Sequence, residues 1–195
     1  GGGRVPAPDE LAPIPRGVLL RSRGGTLVDG DCGEFYFQLR LRDGVYTLER
    51  PLVLSGACDL ALDAIDLSDV GHRLAPAVVE ASLDGRPVIG LRFTHLSRDD
   101  NNQLGMVYDM AYSTPGRYFF NLCSQAGFAL EATGGRLADE LAGLAPGRHE
   151  VRVVVADAAG NRSLAVLPLL KVAPVTAGAR GASAARNDPL RGMAQ

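Results

Sequence analysis

The stretch EVRVVVADAAGNRSLAVLPLL, residues 150–170, decides the fold. Val151, Val153 and Val155 recur at every second position, the period of a strand with one face in a core. A turn follows, in which the Asp157 carboxylate can accept backbone hydrogen bonds and Gly160 supplies a left-handed position. Ser163 then starts a return strand. The segment reads as an antiparallel hairpin, and its neighbours repeat the theme.

In EFYFQLRLRDGVYTLERP (34–51), Phe35, Phe37, Leu39 and Leu41 share one face, with Tyr36, Gln38, Arg40 and Arg42 on the other. Asp43-Gly44 is a strong two-residue hairpin signal, because both central residues need positive φ. Pairing across it sets Leu41 opposite Tyr46 and Leu39 opposite Leu48, with a continuous apolar face expected. CDLALDAID (58–66) places Cys58, Leu60, Leu62 and Ala64 inward, Asp59 and Asp63 outward. AVVEASLDGRPVIGLRF (77–93) offers a hairpin around Asp84-Gly85. RYFFNLCS (117–124) is apolar on both faces and needs a central or covered position. Only GGRLADELAGL (134–144) invites a helix, with Leu137, Leu141 and Leu144 on one stripe. Short strands separated by turn signals predict an all-β sandwich.

The ends differ in composition from this middle. Residues 1–16 hold four prolines and three glycines and read as a linker. Residues 173–195 are small, polar and aperiodic and read as a disordered tail. Between them, residues 17–50 are expected to form an N-terminal β-hairpin region and residues 51–172 the sandwich proper. The chain starts Gly1-Gly2-Gly3, which reads as a mature form or an excised piece.

Composition narrows the function classes. Twenty basic residues against 22 acidic ones, without a single-sign block, give no footprint for a nucleic-acid partner. Trp is absent, which disfavours a base-stacking or sugar-stacking platform. Apolar runs such as 164–170 are too short for a membrane span. Neither a Gly-x-Ser-x-Gly elbow nor a phosphate-cradling loop occurs, so no catalytic residue and no cofactor is expected. Asp99, Asp100, Asn101 and Asn102 gather oxygen ligands of the kind calcium takes. Their spacing is not that of a helix-loop-helix site, and a solvated Asp/Asn turn explains them without a metal. Tyr36, Tyr108, Tyr112 and Tyr118 are candidates for a partner surface, or for packing between layers.

The residues also resemble a family. The segments LSGACDLALDAIDLSD, VVEASLDGRPV and GRHEVRVVVADAAGNRS follow one another as in bacterial immunoglobulin-like modules. More narrowly, they are similar to the non-catalytic sandwich region of LytM-type (lysostaphin-like) zinc metallopeptidases. The matching pieces are Leu83-Asp84-Gly85, residues 93–100 and residues 149–161, with GGTLVDGDCGEFYFQLRLRDGVYTL as lead-in strands. The resemblance covers residues 17–172. It implies an extracytoplasmic accessory module of a bacterial envelope protein, docked on a peptidase domain or a cell-wall component. A free-standing fibronectin- or immunoglobulin-like adhesion or scaffold module is the alternative.

The family's zinc chemistry needs a His-x-x-x-Asp and a His-x-His. Of the three histidines, His72, His95 and His149, only His95 has the first spacing, to Asp99, and no His-x-His follows. No metal site is therefore expected, because catalytic zinc needs three protein ligands. A hydrolase built on His95 or His149 is the outlying reading. The three cysteines read first as small buried hydrophobes. The compartment that the resemblance implies makes Cys32 and Cys58 the pair for any disulfide, with Cys123 buried in its strand.

Overall fold

The computed structural model describes residues 11–68, 71–93, 104–123, 132–134 and 137–173. They form two sheets enclosing one main core. The smaller sheet holds β1 (Ile14–Ser22), β2 (Glu34–Gln38), β6 (Cys58–Leu67), β7 (Arg73–Leu74) and β10 (Tyr118–Asn121), in the order β10-β6-β1-β2 with β7 on β6. The larger sheet holds β3 (Arg40–Arg42), β4 (Val45–Thr47), β5 (Leu52–Leu54), β8 (Val78–Leu83), β9 (Arg86–Arg92), β11 (Ala132–Gly134), β12 (Gly147–Ala156) and β13 (Arg162–Lys171). Two helices, α1 (Leu104–Val107) and α2 (Leu137–Gly143), complete the described elements. The chain is an all-β sandwich.

The hairpin of residues 150–170 is the spine of the larger sheet. β12 and β13 pair along their whole length, from Gly147 opposite Lys171 to Ala156 opposite Arg162. Val151, Val153, Val155, Ala165 and Leu167 are fully buried, as alternation demands. Asp157 Oδ1 accepts the Gly160 and Asn161 N–H groups at 2.6 and 2.9 Å, and Gly160 sits at φ 96°. Asp43-Gly44 and Asp84-Gly85 each have two positive φ values, closing the β3–β4 and β8–β9 hairpins with tight turns.

The strands of residues 17–50 are built into both sheets. β1 starts at Ile14, inside the segment whose composition reads as linker, and lies between β2 and β6. A bulge between Pro15 and Gly17 shifts the β1–β6 register and sends the Arg16 side chain over the sheet. Gly17 is required there: a Cβ would fall 2.3 Å from the Tyr36 hydroxyl.

One expectation is corrected. The apolar face of residues 35–41 is not continuous, because the chain changes sheets at Leu39. Residues before it pair with β1 and residues after it with β4. Leu41 does oppose Tyr46, yet it overhangs the end of the larger sheet and is 60% exposed. RYFFNLCS is resolved by covering. Phe120 enters the main core, while Phe119 on the opposite face is buried under Leu19, Ala61, Tyr36 and Tyr112. The helix stripe is as read, with Leu137 and Leu141 fully buried and Leu144 packed at the margin.

Candidate functional site

The outer face of the smaller sheet carries a row of paired charges. At one end lies Asp63, 1% exposed on the strand where alternation pointed it to water. The outward direction read from alternation holds, and the carboxylate is nevertheless buried. Asp63 faces outward but is roofed by Arg16, whose Nη2 and Nε donate to Oδ1 at 2.6 and 3.1 Å. The Tyr36 hydroxyl donates to Oδ2 at 2.9 Å, and Arg117 Nη2 stands 3.9 Å away. Burial, the Asp63 charge and this hydrogen bond push the Tyr36 phenol well above its usual range.

Toward the other end, Arg21 donates from Nε to Glu34 at 2.7 Å and pairs through Nη2 with the buried Asp109. Its guanidinium also lies 5.3 Å from the centre of the Tyr112 ring, and Tyr112 donates its hydroxyl to Glu34. Asp109 is fixed by its place in a turn, where its carboxylate accepts the Ala111 N–H and its carbonyl the Ser113 N–H. Arg23 closes the row, donating from Nε to Asp59 at 2.8 Å.

Between Arg21, Arg23, Asp59 and Asp109 opens a groove of about 280 Å³. Tyr108, Asn121 and Cys123 also line it, and Met110, 62% exposed, stands at its lip. Asn121 is anchored by donating to the Met106 carbonyl at 3.2 Å. The groove therefore sets guanidinium and carboxylate groups side by side along one ion-paired wall, an arrangement that suits a ligand carrying both signs. Burial pushes the Cys123 thiol up to about 12, so at neutral pH it is a thiol and not the thiolate a nucleophile needs.

The four tyrosines pack more than they project. Tyr108 stacks on Phe93 with centroids 6.2 Å apart and also meets Tyr118 and Phe120. Its phenol is pushed up to about 12 by burial. Tyr36 and Tyr112 cover Phe119, and both also join the charged row through their hydroxyls, Tyr36 to Asp63 and Tyr112 to Glu34. His72 is exposed, and its carbonyl accepts the Ser68 N–H. His149 ties elements together instead of lining the groove: Nδ1 lies 2.7 Å from Asp84 Oδ2 and Nε2 2.9 Å from the Ala145 carbonyl. With an acceptor at each nitrogen the imidazolium is favoured, and the histidine pKa is raised, first by Asp84 and then by Ala145. Burial pushes the Asp84 carboxyl up, but the His149 and Glu150 N–H hydrogen bonds outweigh it and hold it below its usual value.

His95, Asp99, Asp100, Asn101 and Asn102 lie outside the described residues. Among the described residues, no group of three or more His, Cys, Asp or Glu side chains is placed to hold a metal. The Cys32–Cys58 pairing expected from the resemblance is not formed. All three cysteines are free, Cys32 is exposed, and Cys58 is fully buried. The Cys123 thiol accepts the Leu60 N–H at 3.4 Å and lies 4.0 Å from the Cys58 carbonyl.

The sequence reading missed the charged row. Arg21, Glu34, Asp59 and Asp63 each follow from strand alternation, but their pairing needs the β2-β1-β6 order. Comparison with protein-family models, with characterised proteins and with solved structures finds no match.

Proposed function

We propose that this chain is a non-catalytic accessory module of the immunoglobulin-like type in a bacterial envelope protein. It works beside a zinc murein endopeptidase domain that is not part of this chain. The resemblance of residues 83–85, 93–100 and 149–161 supports the family and the extracytoplasmic setting.

The observation that carries a binding role is the groove of Arg21, Arg23, Asp59 and Asp109. Murein stem peptides carry carboxylates together with amino or amide groups. A wall of guanidinium and carboxylate groups side by side meets both, and its side chains are already held in place by their mutual ion pairs. The module thus holds the substrate polymer while another domain cuts it.

Co-sedimentation with purified insoluble murein tests this. The chain is expected in the pellet, with binding weakened about ten-fold by Arg23→Ala and unchanged by Arg40→Ala on the other sheet. A chain that stays in the supernatant overturns the reading. So does release of soluble muropeptides by the chain alone, if stoichiometric zinc accompanies it and His95→Ala abolishes it.

A further inference from the structure

On the outer face of the larger sheet, β13 is apolar where a water-facing strand alternates to polar. Ala165, Leu167 and Leu169 of β13 point into the core, so Leu164, Val166, Pro168 and Leu170 point away from it. Val154 opposite Leu164 and Val53 opposite Leu170 widen the stripe at its ends, while Arg152, Glu150 and Arg148 on β12 face Val166, Pro168 and Leu170. These side chains are partly or well exposed and belong to neither core cluster.

Next to the stripe the sheet is dented. In the β8–β9 pair Ala81 faces Ile89 and Ser82 faces Pro87, which leaves Val88 as the extra residue of a bulge. Val88 and Ile89 are both buried in the main core. The following outward position is Gly90, which has no side chain. The result is a trough of about 560 Å³ over the backbone of β9, walled by Pro87, Ser82 and Val154 with Glu80 and Arg152 at its margin, each held in an ion pair. Its volume lies in the range of small-ligand sites and leaves room for a large apolar side chain.

The surrounding charge is unbalanced. Glu80 pairs with Arg92, and Glu150 lies 3.5 Å from Arg152. Arg148 and Arg162 sit at opposite ends of β12 and β13, exposed, with no carboxylate partner among the described residues.

We propose that this face docks a second protein through an apolar or aromatic knob set within an acidic rim. The knob fills the trough, its surroundings cover the β13 stripe, and its carboxylates meet Arg148 and Arg162. A second copy of the same face would bring those arginines with it and fits less well. The proposal rests on the module reading only in requiring a protein partner. It assigns a surface on the sheet opposite the murein groove.

A random-peptide phage library panned against the immobilised full chain is the probe. Enriched sequences are expected to combine an aromatic residue or leucine with nearby Asp or Glu. A synthetic peptide of that kind should lose about ten-fold in affinity, or 1.4 kcal/mol, when Ser82→Trp fills the trough. The exposed pair Arg148→Glu and Arg162→Glu should turn the enrichment toward Lys and Arg without touching the core. Enrichment indifferent to both sets of substitutions, or free of acidic residues, overturns the proposal. So does a concentration-dependent dimer, seen by sedimentation, that the charge reversals dissociate. None of these variants alters the groove of Arg21 and Arg23, so failure here leaves murein co-sedimentation unchanged, and the two readings fail separately.

Discussion

Lys171 is the single lysine of the chain, and it is 4% exposed. Its Nζ donates to the carbonyls of Leu141 at 2.6 Å, Gly56 at 3.1 Å and Ala142 at 3.4 Å. The ammonium thus ties the end of α2 to the β5–β6 turn and to β13. Burial lowers its pKa, so the charge costs solvation that the carbonyl dipoles offset. Lys171→Met keeps much of the volume and removes the donors. Three carbonyls then lose a donor; the buried one, of Leu141, costs about 1–3 kcal/mol and the part-buried ones of Gly56 and Ala142 less, offset by what is regained by no longer burying a charge. A net loss of about 2 kcal/mol is expected, and for a chain of 195 residues that lowers Tm by roughly 4–8 °C. Calorimetry reads the midpoint. An acylating reagent reads the burial, because the polypeptide has only its N-terminal amine and Lys171 to offer. Mass spectrometry should find one adduct on the native protein and a second only after unfolding. Two adducts forming at similar rates under native conditions, or an unchanged midpoint in Lys171→Met, would refute the placement of this side chain.

Gly17→Ala should destabilise by about 1–3 kcal/mol in urea denaturation, because the new methyl meets the Tyr36 ring that covers Asp63. Gly160→Val should cost about 1–2 kcal/mol from backbone strain alone, since nothing lies within 4 Å of the added Cβ; an unchanged midpoint would remove the turn assigned to residues 157–161. Thiol titration should give three free groups, with exposed Cys32 reacting first, Cys123 in the groove slowly because its thiol is pushed up to about 12, and buried Cys58 only on unfolding. The His149–Asp84 pair should stabilise the fold between two limits. Its contribution is lost as pH rises through the raised histidine pKa, and lost again as pH falls through the lowered aspartate pKa. In thermal melts, wild type minus His149→Gln should therefore peak in mildly acidic buffer. The pair is partly exposed, so the peak is worth about 1 kcal/mol or less; a difference flat with pH would show that the imidazolium is not formed.

The strands were legible because their signal is local. Val151, Val153 and Val155 announce an inward face, and Asp84-Gly85 announces its turn, whatever the rest of the chain does. Leu41 and Asp63 mark where that signal stops. Alternation fixes the direction of a side chain relative to its own strand and carries no information about what stands opposite. Leu41 follows the inward period and finds no opposing sheet, because the strand crosses from one layer to the other at Leu39. Asp63 follows the outward period and finds Arg16, delivered by a bulge, and Tyr36, brought close by a glycine. The apolar back of β13 belongs to the same class. Leu164, Val166, Pro168 and Leu170 stand plainly in the sequence, yet a strand apolar on both faces reads equally as a central strand under cover and as a face awaiting a partner. What separates the two is the sheet order. β13 is hydrogen-bonded on both edges, by β12 on one side and by β4 and β5 on the other, and its outward side chains join neither core. Its in-plane neighbours are therefore accounted for within the chain. The cover for its outward face is what the docking proposal supplies.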